Sequence, residues 1–272
     1  MTLFQAFLLG IVQGLTEFIP VSSTAHLLIA QTLLQLPSNG KMFSFLVLVQ
    51  LGTILALIFY FWRDIWLIVR AFLSGIRQRK PFEDLHARLG WLVLIATLPA
   101  LAAGFLLKDI VQTLFEEALT QAGVRLMMSA LLLAVVERFG RHSRQLDNAS
   151  WLDALMVGLF QVLALFPGAS RSGATIAGAI ARGFDRPSAA RFAFLISGPI
   201  LLAAGLYEAI KVIELPGTHE FLPYLLVGFL SAAGIGWLAI KWLMSYLNGH
   251  SFYGFAIYCT LAGLACLLST LM

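Results

Sequence analysis

Two short polar runs interrupt an otherwise apolar chain. The first reads Gln13-Gly-Leu-Thr-Glu17-Phe-Ile-Pro20-Val-Ser22-Ser23-Thr24-Ala-His26, and the second Pro167-Gly-Ala-Ser170-Arg171-Ser172-Gly-Ala-Thr175. Together they hold one carboxylate, one imidazole, one guanidinium and a set of hydroxyls, which is the equipment of phosphoryl chemistry. Gln13 and Glu17 stand four apart, so on a helix they share one face. Pro20 and Pro167 break any helix that reaches them. Ser22 or Ser23 is placed to cap a helix beginning near Thr24, and Ser170 a helix following Arg171. Each cap leaves unpaired backbone N–H groups and the positive dipole end at a helix N-terminus. Two such termini facing one cavity make an anion site, phosphate above all. Arg171 adds a planar fork that fits phosphate oxygens. His26 lies one turn beyond Ser23, within reach as an acid or base. Glu17 is placed to hold a divalent cation, with Gln13 as a neutral oxygen ligand. Plainer readings stand beside these: Glu17 with Arg171 as a structural ion pair, Ser22 and Ser172 as caps, and Thr175 bonded to its own helix.

The elements that must position these groups are membrane helices. Of 272 residues, 60% are hydrophobic and 12% charged, and the mean hydropathy is +0.87. Soluble domains carry about 25% charged residues, so a water-soluble globule is excluded. The apolar stretches 42–62, 89–107, 122–136, 192–207, 221–240 and 253–272 approach or reach the roughly 20 residues needed to span a bilayer. Two further apolar segments, 1–36 and 151–184, contain the polar runs. Glu17, His26 and Arg171 therefore sit at membrane depth, where an ionisable group is a functional-site hypothesis by default. Glu137, Asp153 and Glu208 fall near helix ends, where interfacial placement accommodates a charge. The first Lys or Arg is Lys41, so no cleavable signal is expected. Cys259 and Cys266, about 10 Å apart on one helix, are packing residues rather than a disulfide. The net charge of +4 reads as loop-marking Lys and Arg, not as a nucleic-acid surface. Nothing resembles a Walker loop, a zinc-ligand cluster or a nucleotide fingerprint.

The chain also repeats. Gly10, Gln13, Leu15 and Phe18 recur as Gly158, Gln161, Leu163 and Phe166, each 148 residues later, and each set meets a proline and a run of hydroxyls. The segments around each break are too short to span, which predicts hairpins that enter the membrane and return. Such backbone is tolerated only against protein or a wet cavity. A hairpin plus three spans crosses an odd number of times, so the second half is inverted. The expected fold is an all-α polytopic membrane protein with an inverted-topology repeat, each half a re-entrant helix-loop-helix hairpin plus three transmembrane helices. It forms one membrane domain, 1–272, with halves 1–147 and 148–272. With the N-terminus outside, 13 of the 18 Lys and Arg residues fall inside and three, Lys41, Lys108 and Lys211, outside. Arg125 falls near an outer helix end and Arg171 in the second break. This asymmetry favours that orientation. The amphipathic stretch 109–119, with Glu116 and Glu117, is expected at the outer surface.

The two polar runs resemble the signature motifs of the bacterial undecaprenyl pyrophosphate phosphatases of the bacitracin-resistance type, and the likeness extends over nearly the whole chain. The resemblance implies an inverted-repeat fold with two re-entrant hairpins in the bacterial plasma membrane. The active site would open to the periplasm or outside. The reaction implied is hydrolysis of undecaprenyl (C55 isoprenyl) diphosphate to the monophosphate and inorganic phosphate, which recycles the carrier lipid of peptidoglycan synthesis. A divalent cation, Mg2+ or Ca2+, is implied as cofactor. The family's acidic motif falls on Gln13 and Glu17, its catalytic serine and histidine on Ser23 and His26, and its essential arginine on Arg171. Ser22, Thr24, Ser170, Ser172 and Thr175 would line the substrate site. Ala25 stands where many members carry Gly. With Gln13, a two-carboxylate metal site in the first motif is not available. Architecture alone also admits a transporter or lipid flippase, since inverted repeats with broken helices are a transporter signature. The Ser-x-x-His pair beside an acid and an arginine favours an enzyme. A channel is disfavoured, since no ring of one charge sign repeats. Apolar helix faces and Gly-rich segments would permit a homodimer.

Overall fold

A computed structural model describes residues 1–106, 118–164, 170–213 and 218–270. Among them the only strand-like pairing is an isolated parallel bridge between Arg144 and Phe184. The helices, in chain order, are α1 (Leu3–Phe18), α2 (Ser23–Leu33), α3 (Gly40–Tyr60), α4 (Trp62–Arg77), α5 (Leu85–Leu106), α6 (Ala118–Phe139), α7 (Trp151–Leu163), α8 (Arg171–Ala181), α9 (Arg186–Ile213), α10 (Thr218–Leu247) and α11 (Tyr253–Ser269). The stretch 109–119 lies almost wholly outside the described residues.

Five helices, α3, α5, α6, α9 and α10, are long and apolar enough to cross a membrane. The chain is an all-α polytopic membrane protein. α11, with 17 residues, reaches the short end of the spanning range of about 17–25. α1, α2, α7 and α8 have 16, 11, 13 and 11 residues and pair as two hairpins, α1 with α2 and α7 with α8. Local chemistry sets where they begin. Thr2 and Gln5 form a capping box for α1, and Ser150 and Asp153 form one for α7, each satisfying two otherwise orphaned backbone N–H groups. α4 is amphipathic. Its apolar side, with Trp62, Trp66, Leu67 and Leu73, is exposed, as suits a helix lying in the membrane interface.

The packing has a recurrent pattern. α1 lies along α10 and α7 along α5; α3 packs on α10 and α9 on α5. Exchanging the halves maps each of these contacts onto another. The matched glycines of the sequence repeat explain the closest of them. A Cβ at Gly10 would stand 2.4 Å from the Gly228 carbonyl of α10, and one at Gly158 would stand 2.5 Å from the Ala96 carbonyl of α5. Only a residue without a side chain permits backbones to approach so closely. The correspondence is incomplete: α8 packs against α9, whereas α2 packs against α6 and makes no comparable contact with α3, and α1 packs on α3 whereas α7 makes no comparable contact with α9.

The acids assigned to helix ends lie near them, and they are also buried and paired inside the protein. Asp153 is 0% exposed and accepts from Arg144 Nη2 and Arg182 Nε, both at 2.7 Å. Glu137 takes Arg186 and the backbone N–H of Phe252. Glu208 accepts from Ser44 at 2.6 Å. A buried charge requires such partners, and each of these acids ties together segments distant in sequence.

Candidate active site

The first hairpin's turn and the N-terminus of α8 meet, and side chains from Glu17 to Thr24 and from Ser170 to Ser172 wall a cavity of about 130 Å³. Pro20 stops α1 and the chain turns sharply, with Val21 N–H donating to the Ile19 carbonyl at 2.7 Å. Ser22 completes the turn at φ 68°, a conformation costly for a residue with a side chain and common where function requires it. Its Oγ accepts from Ala25 N–H at 3.4 Å and so caps α2. Ser170 caps α8 in the same way, accepting from Gly173 N–H at 3.2 Å. Ser172 Oγ lies 3.2 Å from Ser170 Oγ and 3.5 Å from the Ile19 carbonyl, which links one turn to the other.

Glu17, at the end of α1, is the hub. Its Oε2 accepts from Gln13 Nε2 and from Ser23 Oγ, each at 2.7 Å. Its Oε1 pairs with Arg171 Nη2. The expected i, i+4 relation of Gln13 and Glu17 is thus a direct hydrogen bond, and Glu17 and Arg171 converge from opposite halves. Ser22, Ser23, Thr24, Ser170 and Ser172 line the cavity with them. Thr175 does not: its hydroxyl donates to the Arg171 carbonyl at 2.8 Å, inside its own helix.

His26 is turned elsewhere. Its Nδ1 lies 2.9 Å from the Ser22 carbonyl and its Nε2 2.7 Å from the Tyr258 hydroxyl. A carbonyl only accepts, so Nδ1 carries the proton and Nε2 accepts from Tyr258. The group hydrogen-bonded to Ser23 is Glu17.

Three residues of this arrangement were not singled out in the sequence. Arg125, from α6, and Gln50, from α3, line the cavity, and Tyr258 of α11 holds His26. Arg125 is 8% exposed. The rule that flagged Glu17, an ionisable group inside an apolar stretch, applies to it equally. Gln50 and Tyr258 carry no such signal.

The electrostatics favour an anion. Two guanidiniums and two helix N-termini face the cavity against one carboxylate. Arg171 Nη1 is buried with no hydrogen-bond partner among the described residues, a donor left for a ligand to satisfy. The donor set does not fit a resident divalent cation. Such an ion takes about six oxygen ligands, whereas Glu17 is the one carboxylate lining the cavity among the described residues and both its oxygens already accept from protein donors. The Gln13 amide nitrogen, not its oxygen, faces Glu17. No group of three His, Cys, Asp or Glu side chains able to hold a metal occurs among the described residues.

The family model described as "Bacitracin resistance protein BacA" matches residues 6–265. Curated relatives named undecaprenyl-diphosphatase cover nearly the same length. That of Thermomicrobium roseum is 42% identical, with 98% of each chain covered. That of Chlorobium phaeovibrioides is 41% identical, over 98% of this chain and 97% of its own. That of Synechococcus sp. WH7803 is 44% identical, over 96% and 91%. With its two hairpin motifs in place and the match running almost end to end, the chain belongs to the BacA bacitracin resistance protein family.

Proposed function

We infer that this protein hydrolyses undecaprenyl diphosphate to undecaprenyl phosphate and inorganic phosphate, returning the carrier lipid to cell-wall synthesis. The observation that carries the reading is the chain of contacts Ser23–Glu17–Arg171 at a cationic cavity. A serine bonded to a carboxylate is nucleophile equipment, and a flippase has no use for it.

The geometry supports the following course. The diphosphate enters between the α2 and α8 N-termini, with Arg171 and Arg125 on its oxygens. Arg171 then shares its fork between Glu17 and the terminal phosphate. Ser23 Oγ attacks the terminal phosphorus while its proton passes to Glu17 Oε2. The P–O bond to the bridging oxygen breaks, undecaprenyl phosphate leaves, and phosphoserine remains. A water then attacks the phosphoserine, the P–Oγ bond breaks, Glu17 returns its proton to Ser23 Oγ, and the water's protons leave on inorganic phosphate. The arginines and backbone N–H groups stabilise charge on the equatorial oxygens, the dominant contribution in phosphoryl transfer. His26, tied to the Ser22 carbonyl and to Tyr258, is a positioning residue that holds the strained turn next to the nucleophile. No step passes through a divalent cation; the family's cation dependence is assigned to the diphosphate, which carries the ion in with it.

The half-exchange symmetry of the packing supports an inverted repeat. The Lys and Arg asymmetry supports a site facing the periplasm or outside. Phosphate release from undecaprenyl diphosphate by the purified protein tests the activity, and the Glu17→Gln variant tests the site. No release by wild-type protein would leave the transporter reading in its place.

A further inference from the structure

Between α2 and α3 lies a groove of about 490 Å³, inside the range of roughly 300–1,000 Å³ typical of small-molecule sites. Leu27 and Leu28 of α2 form one wall, and Phe43, Leu46 and Val47 of α3 the other. The groove lies where one of the departures from the packing pattern falls. α8 lies against α9, but the corresponding helices α2 and α3 are held apart. Phe43 is 61% exposed, so the groove opens sideways to the surroundings of α3, which in a spanning helix means to lipid.

Two residues, Thr24 and Gln50, line both this groove and the polar cavity. The two spaces therefore lie side by side, with these two polar residues at their common border. A cationic chamber beside an apolar groove complements a ligand with a phosphorylated end and a hydrocarbon chain. We propose that the groove seats the first isoprene units of the substrate's tail, with Thr24 and Gln50 at the oxygen that joins tail to diphosphate. The proposal rests on the diphosphatase reading. It goes beyond it by assigning the tail one path among the helix faces. Binding energy from that part of the substrate, remote from the reacting phosphorus, would be used to orient the diphosphate. It would also let the protein distinguish an isoprenyl diphosphate from water-soluble diphosphates.

The test uses the full-length protein in detergent and two substrates, C55 isoprenyl diphosphate and methyl diphosphate, which has no isoprene unit. Val47→Trp fills the groove from α3 and Leu28→Trp fills it from α2. Each should lower kcat/KM for the C55 substrate at least tenfold and leave that for methyl diphosphate within twofold. A parallel fall on both substrates, or no change on either, would overturn the proposal. A second arm is independent of turnover. An isoprenyl phosphate with a photoreactive group on its first isoprene unit, irradiated on the Ser23→Ala protein, should label peptides of α2 and α3. Excess unlabelled isoprenyl phosphate should abolish that labelling. Label on other helices, or label that only phospholipid displaces, means a different tail path or a groove filled by bulk lipid, and either result rejects the assignment. If wild-type protein releases no phosphate from any isoprenyl diphosphate, the functional reading fails, and the position of the label still decides whether the groove holds the tail.

Discussion

Ser23 Oγ donates to Glu17 Oε2 across 2.7 Å, although a proline-broken turn lies between the two residues. The break at Pro20 makes this possible. Had α1 continued, residue 23 would have stood nearly two turns beyond Glu17 and out of reach. The reversed chain instead brings the first residue of α2 back over the last turn of α1. Glu17 thus serves at once as hydrogen-bond acceptor for the serine and as counter-ion for Arg171, and the predictions below separate these duties.

Arg171 is asked to bridge Glu17 and the phosphate with a planar fork. Arg171→Lys keeps the charge and loses that geometry. Hydrogen bonds to charged groups contribute about 1.5–3 kcal/mol each, so losing one should lower kcat/KM roughly 10- to 150-fold with the protein still folded. Phosphate-release rates at matched amounts of monomerically dispersed protein check this. Near-normal turnover would show that charge alone suffices.

Arg125 contributes from α6, across the cavity from neither hairpin motif's own residues. Arg125→Gln should raise KM for the diphosphate by about tenfold or more, the cost of one charge-assisted contact, while kcat changes less. Steady-state kinetics provides the split. An unchanged KM with an equally lowered kcat would place Arg125 in the transition state only.

The parts of the design that lie close in sequence were legible there. The i, i+4 pair Gln13 and Glu17, the two serine caps and the break at Pro20 follow from local rules, and the structure places them accordingly; Pro167 lies outside the described residues. The glycine match between halves pointed to a repeat before it was clear that Gly10 and Gly158 admit neighbouring backbones. Arg125 was legible by the rule that flagged Glu17, an ionisable group inside an apolar stretch; Gln50 and Tyr258 were not, because they reach the site from α3 and α11, and no spacing along a chain encodes which faces of distant helices will meet. His26 shows the converse, a spacing whose suggested contact is absent from the structure. Its three-residue spacing from Ser23 promised a pair, but Tyr258 and the Ser22 carbonyl occupy both ring nitrogens. The helix-end positions of Glu137, Asp153 and Glu208 were legible, but their cationic or hydroxyl partners were not, since these lie on other elements or in loops that only folding brings near.

Asp153 shows what such a partner set is worth. Asp153→Asn leaves Arg144 and Arg182 without their shared carboxylate. Breaking a fully buried pair costs about 3–5 kcal/mol. Both arginine side chains keep about a third of their surface exposed, so the expected loss is smaller, about 2–3 kcal/mol after screening. Thermal unfolding in detergent should show a clearly lowered Tm, with activity near wild type at low temperature. An unaltered Tm would make the cluster dispensable.

The cavity's donor set makes a prediction about metal. Calorimetric titration of the substrate-free protein with Mg2+ or Ca2+ should reveal no site of micromolar affinity, since one carboxylate already paired with Arg171 cannot supply the oxygens such an ion requires. A saturable micromolar site lost in Glu17→Gln would show that Arg171 yields its place to the ion.

Ser22 and Ser23 are neighbours with different duties, and this permits a sharp test of the nucleophile. Ser22 Oγ caps α2 and its backbone carbonyl anchors His26, so Ser22→Ala should cost about 0.5–2 kcal/mol of stability with most of the turnover number retained. Ser23 caps nothing; its hydroxyl is committed to Glu17 and faces the cavity. Ser23→Ala should leave stability nearly unchanged and remove the covalent route altogether. Rapidly quenched reactions with substrate labelled in its terminal phosphate should yield phosphoserine at position 23 in wild-type protein. In Glu17→Gln, where the proton acceptor is gone, its formation should slow by about 10²–10⁴, the usual contribution of a general base. If Ser23→Ala keeps more than about a tenth of the wild-type rate, a change of under roughly 1.4 kcal/mol in the barrier, the covalent assignment fails. Water must then be the attacking group, aligned by the same Glu17 oxygen that now accepts from Ser23.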